Sequence, residues 1–214
     1  MTTTRQVLIL LIGLLPAGGF TVQAAENPGS IKVDNQHVHN WNNFANNLLV
    51  LHQQLVKQHP LIIKTKTGGY ADQPEFYTEE SFYHKETGKL ISRVQWEKAN
   101  PDRMHTIEVY VYDDKNRVIR DYSAAYLPTY RNAPTQTLIN LHAYNGETHA
   151  FRSFDATGDH ILDRCTGNYK GEEINILLDE DELYAELDGM RLEPYYKHCV
   201  KGLPVRAEKY RTPH

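Results

Sequence analysis

Asp155, Thr157, Asp159 and Asp163 hold the first, third, fifth and ninth positions of the run SFDATGDHILDRC, the spacing of an oxygen-ligated calcium loop. Such a loop requires glycine at its sixth position and a bidentate glutamate at its twelfth, and those places hold His160 and Thr166. The acids therefore read as turn residues, with Asp155 at the head of the turn accepting backbone N–H groups.

Other residues with chemical potential divide in the same way. His37 and His39 form an H-x-H pair at the start of a helical pattern, where residues two apart diverge, and no third ligand accompanies them. Ser123 with His142 or His149 and an aspartate has the composition of a nucleophilic triad, but no G-x-S-x-G elbow presents a serine. Gly68 and Gly69 follow IIKTKT without the lysine and helix of a phosphate loop and read as a turn. The acids from Asp179 to Glu182 suit the first turn of a helix. No catalytic residue, metal or cofactor is assigned on these grounds.

Two assignments remain. Cys165 and Cys199 are the chain's two cysteines, and in an exported protein they are expected to pair, contributing ~3 to 4 kcal/mol through loop closure. Fourteen tyrosines, many alternating opposite aliphatic positions, give the expected ligand-binding set. Tyr110, Tyr112 and Tyr122, with Arg93, Arg120 and Arg152, are expected to share the second face of a sheet, where amphipathic rings and guanidinium groups suit a half-wet surface.

The elements that must position these residues are legible as periods. Residues 1–24 carry Arg5, an apolar run from Val7 to Leu15, and small residues before Ala24, the three parts of a cleaved signal peptide. The apolar run is too short to span a bilayer, and without a cysteine behind it no N-terminal lipid anchor is expected. Residues 25–214 then form one globular α+β domain, expected in the periplasm. Losing Arg5 takes the formal charge from −4 to −5, which offers nothing to nucleic acid or an anionic membrane surface.

Over 36–58, Trp41, Phe44, Ala45, Leu48, Leu49, His52, Leu55 and Val56 form an apolar stripe of helical period, with Asp34 or Asn35 as cap and Pro60 as stop. Its other face is rich in asparagine, a poor helix former, so the helix must depend on docking. From 61 to 178 the period becomes two, as in LISRVQW and TIEVYVY, and an antiparallel sheet is expected. Asn145-Gly146 between two such runs marks a hairpin. A short helix is expected over 180–190, ended by Gly189 or Pro194, and a loose tail over 203–214.

YHKETGKLISR, VYDDKNRVIRD and SFDATGDHILDR repeat one plan: an aromatic strand end, a turn closing in Gly88, Asn116 or Gly158, then an apolar pair and an arginine. This plan resembles the hairpin units of YD-type and related wing-like β repeats, and it predicts hairpins whose turns end in a bulge. The order of one long helix and then a meander, with LISRVQWEKANPDRMHTIEVYVYDDKNRV as its strand–loop–strand core, resembles periplasmic lipoprotein carriers of the LolA type. That resemblance implies a curved half-barrel holding acyl chains. The expected function is a soluble, non-enzymatic envelope domain that binds a ligand or a protein partner through the open side of its sheet. A carrier of a small apolar ligand and an enzyme on a cone-like helix-and-sheet fold are the alternatives.

Overall fold

A computed structural model describes residues 30, 31, 34–179, 187–190 and 192–214. The expected signal peptide, the side chain of Leu187 and most of the expected 180–190 helix lie outside the described residues. The long helix α1 (Asn35–Gln58) starts at Asp34, whose carboxylate accepts the His37 N–H at 2.8 Å, and it ends at His59 before Pro60. None of the described helices is long and apolar enough to cross a membrane.

Nine antiparallel strands follow in meander order: β1 (Leu61–Gly68), β2 (Tyr77–His84), β3 (Leu90–Glu97), β4 (Asn100–Tyr112), β5 (Val118–Ala125), β6 (Gln136–Asn145), β7 (Glu147–Phe154), β8 (His160–Tyr169) and β9 (Glu172–Asp179). Two short helices, α2 (Leu187–Met190) and α3 (Pro194–Cys199), precede a 3₁₀ turn at Glu208–Tyr210. The class is α+β, with the strands dominant.

The three repeated turns share one construction. Gly88, Asn116 and Gly158 have φ of 68°, 59° and 99°, the left-handed region that glycine and asparagine enter at least cost. Register shifts at Phe82/Tyr83, Val111/Tyr112 and Ser153/Phe154 place a bulge beside each turn. The residue heading each turn accepts backbone N–H groups: His84 through Nδ1, Asp113 and Asp155 through Oδ1. Asp155 is thus a turn acceptor, while Asp163 points into an ion pair elsewhere. At Gly69 a β-carbon would come within 1.9 Å of the Gln73 carbonyl oxygen, so the tight return from β1 admits only glycine.

The registers sort the side chains into two faces. Phe82, Val94, Ile107, Val109, Tyr122, Ile139, Leu141 and Phe154 share the first face, where α1 adds Phe44, Ala45, Leu48 and Leu51 to one core. Burying each large member of that stripe stabilises by ~1.5–3 kcal/mol, which offsets the weak helix propensity of the asparagines. His52 lies on the same stripe, hydrogen-bonded to Ser92 Oγ at 2.8 Å and edge-on to Phe82, and burial lowers its pKa. Further along this face, Ala150, Cys165, Ile176 and Leu178 form a second core with Tyr196 and Cys199 of α3.

The C-terminal segment departs from expectation in two respects. Pro194 opens a helix instead of ending one, because proline fits the first helical position, where its missing N–H has no role. Residues 203–214 are docked, not loose: Ala207 and Pro213 are buried, Leu203 and Tyr210 pack on the main core, and Arg211 Nε donates to the Ala156 carbonyl at 3.0 Å. The apolar residues scattered between the prolines and basic residues make those contacts. The Cys165–Cys199 disulfide, with a Cα–Cα distance of 6.0 Å, ties α3 to β8. The Asn145 side chain seals the same end by donating to the carbonyls of Cys199 and Lys201.

Candidate functional site

The side chains expected to form one surface are divided between the two faces. Tyr122 is paired across the sheet with Val109 and Ile139, is fully buried and meets Phe44 edge-on, with its hydroxyl pKa raised by burial. Arg120, on the same face, donates to the His214 carbonyl at 2.8 Å and lies over the Tyr210 ring. Arg152 is buried beneath α3. There its Nε and Nη2 each donate to Asp163 at 2.7 Å, while the Tyr196 hydroxyl donates to Asp163 at 2.5 Å and His160 Nε2 lies 2.9 Å away. Burial would raise the Asp163 carboxyl, but the hydrogen bonds from Arg152 and His160 and the Arg152 charge outweigh it and hold the pKa well below the usual carboxylate range. Burial and the bond to Asp163 push Tyr196 up to about 12.

Arg93, Tyr110 and Tyr112 lie on the second face. Arg93 forms ion pairs with Glu79 and Glu108, both at 3.3 Å, and the Tyr110 hydroxyl donates to Glu108 at 2.8 Å. Burial and the bond to Glu108 raise the Tyr110 pKa well above its usual value, so the phenol remains a donor at all ordinary pH. Gln95 donates to the other oxygen of Glu79, which is only 4% exposed although it belongs to the second face. The Tyr112 hydroxyl donates to the Leu90 carbonyl at 2.9 Å. Tyr110 and Tyr112 border a cavity of about 270 Å³ together with Leu55, His59 and His84.

A second group, absent from the expected set, continues the face across β5, β6 and β7. Asp121 stands opposite Tyr110 on β5. Its Oδ1 accepts from Asn140 at 2.7 Å, and Asn140 Oδ1 accepts in turn from Ser153 at 2.5 Å. Asp121 Oδ2 lies 2.6 Å from His142 Nε2. A carboxylate only accepts, so His142 Nε2 carries a proton, and in the neutral ring Nδ1 then offers a lone pair. That lone pair faces His149 Nε2 at 2.9 Å. The His149 ring is parallel to Tyr144, with centres 4.6 Å apart, and Arg117 lies over the Tyr144 ring. Burial, then the neighbouring His142 and Arg164, lower the His149 pKa and favour its neutral form.

The sequence holds a signal for this group. The Asn145-Gly146 hairpin pairs Tyr144 with His149 and His142 with Phe151, which puts all four side chains on one face. Ser123 lies on that face, opposite Glu108, but among the described residues no hydrogen bond joins it to either histidine. His37 and His39 turn to separate partners, the Trp41 ring and the Asn43 amide. No family model, curated protein or solved structure matches the chain.

Proposed function

We propose that the chain is an exported, non-enzymatic envelope domain that binds a polar ligand or a protein partner on the second face of its sheet. One observation carries the reading. On that face two chains of side-chain contacts meet at the cross-strand pair Tyr110 and Asp121: Lys66–Glu79–Arg93–Glu108–Tyr110 from one side, and Asp121–His142–His149 from the other. Preset polar groups with amphipathic rings lower the entropy cost of recognising a polar surface. An acyl carrier would instead need an unfilled apolar lining under its long helix, and here Phe44, Leu48, Val94 and Ile107 fill the part of the face that α1 covers.

Native mass spectrometry on protein recovered from the envelope tests the reading. A bound species lost from the double variant Arg93→Ala/Tyr110→Ala, with the fold unchanged by circular dichroism, is expected. A bound species of acyl mass that survives both substitutions would refute it. The export part is tested by sequencing the mature N-terminus, which is expected at Ala25.

A further inference from the structure

We infer that His142 and His149 form a two-coordinate site for a monovalent d10 cation, Cu(I), with Asp121 fixing the site from behind. The inference names a ligand for one end of the proposed binding face, yet it stands on the geometry of three side chains.

The rings of His142 and His149 are 8° from parallel with centres 5.2 Å apart, and their facing nitrogens are 2.9 Å apart. The distance between centres equals the nitrogen–nitrogen distance plus the two ring radii. The line of centres therefore passes through both nitrogens and lies in both ring planes. The rings are side by side in one plane, not one above the other, and the lone pairs of Nδ1 and Nε2 aim directly at each other. One proton now occupies that gap. A metal ion that prefers two donors in line fits the same direction of approach, whereas zinc asks for four ligands in a tetrahedron. Among the described residues no group of three or more His, Cys, Asp or Glu side chains is arranged to hold a metal. The pair thus meets the demand of a linear d10 ion and not that of a tetrahedral one.

Two further features support the assignment. Asp121 takes the remaining N–H of His142, the carboxylate–histidine arrangement that fixes tautomer and orientation in metal sites, and its single negative charge matches a single positive one. Metal–nitrogen bonds of about 2 Å require the facing nitrogens to open to about 4 Å. His142 is clamped, so His149 must move. Its ring lies 8° from parallel to Tyr144, and a slide of about 1 Å within its own plane keeps that stacking. The proton in the gap passes to His149 Nδ1 through solvent, so binding adds one positive charge without net proton release. Both cysteines are in the disulfide, and no thiolate of this chain competes for the ion.

The test is anaerobic titration of the whole protein, disulfide intact, with Cu(I) supplied as its acetonitrile complex and competed by a chromogenic bicinchoninate chelator. One equivalent is expected to bind, with X-ray absorption showing two nitrogen neighbours. His149→Ala and His142→Ala should each abolish that equivalent, and Asp121→Asn should weaken it by about 10- to 100-fold, the usual cost of losing an orienting partner. The double variant His37→Ala/His39→Ala should bind as the parent does. Binding that survives His149→Ala, coordination by three or more ligands, or Zn(II) held at the pair as tightly as Cu(I) would overturn the inference. Arg93→Ala/Tyr110→Ala should leave the metal equivalent in place. Loss of metal binding in His149→Ala and loss of a co-purifying species in the Arg93/Tyr110 variant therefore report separately.

Discussion

Asp163 and Asp121 each hold a histidine on the same sheet, and their surroundings differ in one decisive way. Asp163 is 2% exposed on the helix-covered face, and Arg152, Tyr196 and His160 fill its acceptor positions. Asp121, with 19% of its side chain exposed on the other face, meets only neutral or proton-sharing groups, Asn140 and His142. A buried carboxylate saturated by a guanidinium is a fastener, with nothing left to offer a ligand. A partly wet carboxylate that orients an imidazole whose far nitrogen meets only another imidazole keeps an exchangeable position. Burial with full pairing separates structure from site more reliably than residue type does.

The largest test of this contrast is removal of each acid. Asp163→Ala leaves Arg152 charged and buried without its partner, and a loss of ~3–5 kcal/mol is expected in urea unfolding. Asp121→Ala should cost only about 1.5–2 kcal/mol, since it removes hydrogen bonds to Asn140 and His142 without leaving a buried guanidinium unpaired. Equal losses would erase the distinction. Next in size is the disulfide: reducing Cys165–Cys199 should cost ~3–4 kcal/mol. Amide exchange should rise over residues 194–214 while α1 stays protected. Exchange that rises first in α1 would show that the C-terminal segment is held by other means.

Acid and alkaline unfolding sharpen the same comparison. The folded-state pKa of Asp163 lies below that of an unfolded carboxylate, so its contribution is complete above about pH 4 and is lost as pH falls further. Tyr196 is raised to about 12, so its contribution is complete below about pH 10 and is lost as pH rises through about 12. His52, lowered by burial from 6.5, begins to cost stability as pH drops below that value, because the unfolded chain takes up its proton first. Asp163→Asn should flatten the acid limb below about pH 4 and leave the His52 limb intact. The smallest effect is expected for Tyr110→Phe, about 1 kcal/mol for one hydroxyl bond to the partly wet Glu108. A much larger loss there would make the second face as structural as the first.

Much of this molecule was written locally. The period of 3.6 over Trp41 to Val56, the period of two from Leu61 onward, the left-handed turn residues Gly88, Asn116 and Gly158, and the Asn145-Gly146 hairpin all act within a few residues, and each fixes its own element. The pairing of Cys165 with Cys199 followed from there being no other cysteine.

What the tertiary structure decided was which side of each strand meets what. Tyr122 and Tyr110 look alike in sequence, but each bulge beside a turn shifts register by one residue, and with it the face that every later side chain joins. Local period cannot carry that count across five strands. For that reason Arg120 meets the C-terminal segment at Tyr210 and His214 and Arg152 lies under α3, while Arg93 remains on the polar face. Asp121, His142 and His149, drawn from three strands, meet only because the sheet aligns them.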